Sequence, residues 1–108
     1  YNINRRNEQG DHFHPKGFGN AYLFDFGGFK VYVAGDTEPI EEMKELPALD
    51  IAFLPKNLPY TMTDDEFVGL ANQLKPAVLY PIHYFEKDYP DLSARLDAGI
   101  TFIDPNQE

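Results

Sequence analysis

Apolar residues in this chain fall in short runs, and the spacing inside those runs changes along its length. Residues 21–26 and 29–33 are apolar-rich runs on either side of Gly27-Gly28. Two glycines between two such runs signal a tight hairpin, so these runs are predicted to pair as antiparallel strands. Residues 50–54 and 77–80 are nearly continuous apolar runs, the pattern of strands covered on both faces. Residues 100–103 read as a last strand, and residues 1–3 as the end of another. Between the strands the period changes. Phe67, Leu70, Ala71 and Leu74 recur at the spacing of one helical face. Thr63 with Glu66 three residues later forms a capping box ahead of that stripe, and Lys75-Pro76 stops it.

Two weaker helices are predicted. Pro39 suits a first helical turn. Glu41 and Glu42 favour the positive end of the helix dipole. Ile40, Met43 and Leu46 supply a stripe, and Pro47 ends the helix. Residues 91–98 read as a second short helix, with Leu92 and Leu96 inward and Gly99 as a left-handed stop. The segment from His12 to Gly19 contains Pro15, Gly17 and Gly19, which rule out regular structure. Extended backbone there would put His12 and His14 on one face.

From residue 29 onward strands and helices alternate, which predicts an α/β fold with helices packed on a mixed sheet. Ligands collect at the C-terminal ends of the strands in such sheets. Three predicted strand ends lead into polar groups there: Asp36, the pair Lys56-Asn57, and His83. The run Ala34-Gly35-Asp36-Thr37 places a carboxylate after two residues with almost no side chain, open to close approach by a metal or ligand. The same tripeptide Gly-Asp-Thr also opens ordinary turns, and a lone histidine after a strand is commonly structural. Taken together, Asp36 and His83 are oxygen and nitrogen donors suited to a first-row metal. They are expected in one cleft, at the ends of neighbouring strands. Two donors fall short of a catalytic zinc site, which takes about three protein ligands and a water.

Composition narrows the partners. The 108 residues fit one domain, 1–108, and 43% are hydrophobic, enough for a core. The formal net charge of -9 argues against nucleic acid or an anionic membrane as partner. Cysteine is absent, so thiolate metal sites and disulfides are excluded. No apolar run approaches the roughly 20 residues that span a bilayer. With no visible signal peptide, a cytoplasmic location is expected. A chain opening on Tyr1 rather than Met reads as a piece of something longer.

Several stretches carry a resemblance. They are Phe13-His14-Pro15-Lys16-Gly17, Val31-Tyr32-Val33-Ala34-Gly35-Asp36-Thr37-Glu38, Glu42-Met43-Lys44, Asp50-Ile51-Ala52-Phe53-Leu54-Pro55, Pro59-Tyr60-Thr61-Met62-Thr63 and Leu79-Tyr80-Pro81-Ile82-His83-Tyr84. In order and spacing the chain resembles the C-terminal half of the metallo-β-lactamase fold hydrolases. The nearest branch is the one that includes ascorbate-phosphate lactonase-like proteins and is labelled metal-dependent hydrolases.

The resemblance implies half of an αββα sandwich with a metal site at one sheet edge. It puts the family's metal-bridging carboxylate on Asp36 and the histidine that closes the second metal site on His83, both in catalytic and metal-holding roles. It puts His14 near the pocket as a substrate or metal group, with Lys56, Asn57, Tyr60 and Tyr84 lining it. The family's His-x-His-x-Asp-His motif, which supplies most of the ligands, has no counterpart among the three histidines here.

The implied activity is hydrolysis of a small ester, lactone or phosphoester by zinc- or manganese-activated water, with the N-terminal half missing. The isolated chain is then expected to bind metal weakly and to be inactive. Its expected macromolecular partner is the missing half or a second copy of itself. The alternative reading is a non-catalytic half-fold that acts by association.

Overall fold

A computed structural model describes residues 1–3, 5–17, 19–56, 61–82 and 93–103. Strand β1 (Tyr22–Phe26) turns through Gly27-Gly28 into β2 (Phe29–Val33), with Tyr22 opposite Val33 and Phe26 opposite Phe29. Both turn glycines have positive φ, 66° and 102°, which a two-residue hairpin turn favours and a side chain would resist. The Asp25 carboxylate accepts the Gly28 N–H at 2.7 Å and closes the turn. Strands β3 (Ile51–Pro55), β4 (Val78–Ile82) and β5 (Thr101–Phe102) follow, each parallel to its neighbour, in the order β1-β2-β3-β4-β5. Helix α1 (Asp64–Leu74) makes the crossover from β3 to β4. The fold is therefore α/β with a mixed sheet.

Register sorts the strand residues into two faces, because alternate side chains point to opposite sides. Tyr32, Ala52, Leu79 and Phe102 are paired across β2 to β5 and share one face with Leu54. Phe67, Val68, Leu70 and Ala71 of α1 pack there and, with Met43, Leu49 and Met62, close the core. Phe67 meets Phe102 edge to face, ring centres 6.3 Å apart. The opposite face carries Val31, Val33, Ile51, Phe53, Val78 and Tyr80, all half-buried. Phe53 and Tyr80 stack there at 5.1 Å. Tyr22, Phe24 and Phe26 continue that face on β1 as an exposed ladder of stacked rings, 6.1 Å apart.

Helix α1 starts as predicted. The Thr63 hydroxyl accepts the Glu66 N–H, and the Glu66 carboxylate accepts the Thr63 N–H. Lys75 then adopts a left-handed conformation, φ 50°, before Pro76. The weaker helices are shorter than expected. In place of a helix from Pro39 there is a 3₁₀ turn, Glu41–Glu45, entered from an extended Ile40. Leu46 is already extended, as a residue before proline prefers, so Pro47 leaves no room for a full helix. The last crossover contains a 3₁₀ turn at Ser93–Arg95 among the described residues, and Gly99 is not left-handed. Residues 1–3 join no sheet. They lie between two loops, with the Asn2 N–H bonded to the His14 carbonyl and the Glu38 N–H bonded to the Tyr1 carbonyl.

Because β2, β3 and β4 are parallel, their C-terminal ends share one edge of the sheet. The Lys56 N–H donates to the Ile82 carbonyl at 3.0 Å, which holds the ends of β3 and β4 side by side. One expectation is corrected here. Asp36 and His83 follow β2 and β4, which are not neighbours: β3 lies between them. The two strand ends are thus about 9–10 Å apart across the sheet.

Candidate metal centre

The site begins where β2 ends. Ala34 is buried, and Gly35 turns the chain with φ 69°. A Cβ at residue 35 would sit 3.2 Å from the backbone carbonyl of Asn20. Glycine therefore meets two demands at once, a left-handed backbone and a close approach of the loop ahead of β1. The turn delivers Asp36, Thr37 and Glu38. Thr37 is buried, and its Oγ1 accepts from the Tyr1 backbone nitrogen at 2.6 Å. Glu38 is buried as well, 2% exposed, and its carboxylate accepts from the Ile3 N–H and from Arg5 at 2.6 Å. Arg5 also binds Glu66 in the first turn of α1.

Asp36 faces His14. The imidazole Nε2 lies 3.3 Å from Asp36 Oδ2, and each residue is about one-third exposed. His14 Nδ1 is buried with no hydrogen-bond partner among the described residues, an arrangement that is costly for a polar atom. The pair opens on a cavity of about 490 Å³. Phe13, Tyr32, Ala34, Ile40 and Met43 form its apolar wall, with Lys16 and Glu42 among its charged residues. Burial pushes the Tyr32 phenol above its usual range. Lys16 stands 5.2 Å over the Tyr1 ring and 4.0 Å from Glu42.

The two histidines of the irregular loop go separate ways. His14 turns to Asp36, whereas His12 Nε2 contacts the Ile3 carbonyl at 3.1 Å. Lys56 follows β3 directly and is 4% exposed, with its ammonium on Asp64 in the first turn of α1. It is not part of the cavity wall. Asn57, Tyr60, His83 and Tyr84 lie outside the described residues. The described residues contain no group of three His, Cys, Asp or Glu placed to hold a metal. Sequence reasoning missed the polar frame of Asn2, Arg5 and Glu38. Its only local signal is Asn2, a lone polar residue between Tyr1 and Ile3.

A beta-lactamase superfamily domain matches residues 2–83, most of the chain. The chain belongs to the beta-lactamase superfamily. Among relatives, a UPF0173 metal-dependent hydrolase of Natranaerobius thermophilus is 42% identical over 71 residues, which are 63% of this chain and 32% of that protein. A UPF0173 metal-dependent hydrolase of Listeria innocua is 36% identical over 93 residues, 79% of this chain and 41% of that protein. A crystal structure from Parabacteroides distasonis, provisionally assigned as a metal-dependent hydrolase, superposes with a TM-score of 0.85 at 40% identity. It covers 100% of this chain and 48% of its own. Igni18, a metallo hydrolase of Ignicoccus hospitalis, shares the fold with a TM-score of 0.60 at 24% identity, over 81% of this chain and 43% of its own. The chain thus spans about a third to a half of the length of these relatives. No helix among the described residues is long and apolar enough to cross a membrane.

Proposed function

We propose that this chain carries the C-terminal share of the active site of a metal-dependent hydrolase acting on a small ester, lactone or phosphoester. The observation that carries this reading is the His14–Asp36 pair, 3.3 Å apart, lining a cavity at the strand-end edge of the sheet. One imidazole and one carboxylate match zinc or manganese in donor type, and the buried His14 Nδ1 finds no hydrogen-bond partner among the described residues. The relatives' descriptions as metal-dependent hydrolases support the same chemistry. His14 and Asp36 would hold the metal together with His83, the residue after Ile82 in sequence. The remaining ligands would come from the part of a longer protein that bears a His-x-His-x-Asp-His motif.

Such a metal, when bound, would lower the pKa of water towards roughly 7 and polarise a scissile carbonyl or phosphoryl oxygen. The chain's own contribution is placement. Asp36 and His14 fix donor positions on two loops. Phe13, Tyr32, Ile40 and Met43 keep bulk water from the reacting end of the cavity. Lys16 offers a cation at its mouth for an anionic substrate group.

The test is complementation. This chain is mixed with the N-terminal segment of a longer relative and zinc or manganese, and hydrolysis of lactone and phosphodiester substrates is measured. Activity in the mixture alone, lost in Asp36→Ala and His14→Ala, is the expected result. The half-buried apolar sheet face and its exposed Tyr22, Phe24 and Phe26 rings favour a second reading, a non-catalytic half-fold that acts by association. Binding of the two segments with no activity at any metal concentration would favour that reading.

A further inference from the structure

We infer that residues 1–3, fastened by Arg5, form a rail that sets the spacing of the His14–Asp36 pair, with Asn2 and Glu38 as positioning residues. The inference rests on reading that pair as metal donors. His14 sits in a loop broken by Pro15 and Gly17, with no ladder or helix of its own to fix it. Asn2 supplies what the loop lacks. Its backbone N–H donates to the His14 carbonyl at 2.9 Å, and its side-chain oxygen accepts the His14 N–H. A grip on both backbone groups of one residue removes its freedom to rotate. Asn2 is 1% exposed, so water does not compete for these bonds.

The flanking residues point the other way. The Tyr1 carbonyl accepts the Glu38 N–H at 3.1 Å, and the Ile3 N–H donates to the Glu38 carboxylate. This is the alternation of an extended chain, in which successive residues face opposite sides. One three-residue segment therefore holds the His14 loop on one side and the loop carrying Asp36, Thr37 and Glu38 on the other. The distance between the two donors is set by the width of that segment. Arg5 completes the frame by binding Glu38 and Glu66 together, which fastens the rail to the first turn of α1.

Burying a carboxylate as deeply as Glu38 is costly even when it is paired, and an apolar residue would fill the same space more cheaply. A buried ion pair is best justified where it fixes a geometry. Donor groups must be held to about half an ångström for a metal to find them ready. Neither Asn2 nor Glu38 lines the cavity itself. The Asn2 side chain accepts from the His14 backbone, and the Glu38 carboxylate accepts from the Ile3 backbone and from Arg5.

The experiment is a zinc titration of the 108-residue chain, followed by the imidazole NMR signals of His14, which report on weak binding directly. Melting temperatures are recorded without zinc. Asn2→Ala and Glu38→Ala are expected to weaken zinc binding roughly tenfold or more. Asn2→Asp and Glu38→Gln keep an accepting oxygen and are expected to stay near the wild-type affinity. Either pair suffices if one alanine variant fails to fold. Leu70→Ala, in the core under α1, is the control: it lowers the melting temperature and leaves zinc affinity unchanged. Equal loss of affinity in Leu70→Ala, or wild-type affinity in both alanine variants while Asp36→Ala weakens binding, overturns the inference alone. Unchanged affinity in Asp36→Ala removes the metal reading and the inference with it.

Discussion

Gly35 carries two constraints that a side chain cannot meet together. Its φ of 69° is left-handed, and a Cβ there would press on the Asn20 carbonyl at 3.2 Å. Left-handed backbone costs an L-residue about 1–2 kcal/mol. Gly35→Ala is therefore expected to lower the urea midpoint by at least that equivalent. It should also weaken zinc binding, because the turn at residue 35 aims Asp36. A variant with wild-type stability would show that the turn relaxes freely. Tyr32, on the strand leading into this turn, makes a different prediction. Burial raises its phenol above the ordinary value of about 10, so the folded state holds the proton more tightly than the unfolded chain does. Its contribution to stability is complete below about pH 10 and is lost as pH rises from there through the raised folded value. Tyr32→Phe should accordingly lose less stability than the wild type between neutral and strongly alkaline pH. Parallel pH curves for the two proteins would contradict this.

At the scale of elements, two kinds of ion pair give opposite expectations. Lys44 and Glu41 meet at 3.0 Å on an exposed 3₁₀ turn, and such pairs contribute between nothing and about 1 kcal/mol. Arg5 joins Glu38 and Glu66 between the N-terminal segment, the loop after β2 and α1. Removing one partner of a buried pair costs about 3–5 kcal/mol. Arg5→Met should thus be severely destabilising and Lys44→Ala near neutral in thermal melts, and comparable shifts for the two would show that the Arg5 frame is dispensable. This contrast also explains what the sequence revealed. The hairpin at Gly27-Gly28 and the capping box at Thr63 rest on residues within a few positions of each other, so both were legible. The 3₁₀ turn at Glu41–Glu45 was read as a helix because local composition favours one, while the pre-proline limit at Leu46 decides its length. The contacts of Asn2 with His14 and of Arg5 with Glu66 join residues 12 and 61 positions apart. No local pattern encodes them. The approach of His14 to Asp36 is likewise encoded by no local pattern; the resemblance places His14 only near the pocket.

At the scale of the whole molecule, one sheet face is buried under helix α1 and the other is half-buried to exposed. Helix α1 and the 3₁₀ turn at Glu41–Glu45 bury the side with Tyr32, Ala52, Leu54 and Leu79. The side with Val31, Ile51, Phe53, Val78 and Tyr80 is only half-buried, and the exposed Tyr22, Phe24 and Phe26 rings extend it to the edge strand. Monomeric proteins rarely leave apolar patches beyond a few hundred Å² in water. β1 also leaves one side of its backbone unpaired among the described strands, at the end of the sheet, and exposed edges of this kind template further pairing. The net charge of -9 opposes association at long range, but salt screens it within about 8–10 Å, and the apolar face acts at contact. Burial of that face therefore wins at physiological ionic strength, and the isolated chain is expected to self-associate and to bind an apolar dye. Light scattering coupled to gel filtration reads the first, and dye fluorescence the second. The N-terminal segment of a longer relative should compete for the same face, so adding it should disperse the self-associated species and quench the dye. Substituting Phe53 and Tyr80 with lysine should abolish both kinds of association and leave the His14–Asp36 pair in place, because those residues lie on the face away from the core. A monodisperse 12.4 kDa monomer with no dye binding would mean that the face is already satisfied within the chain itself.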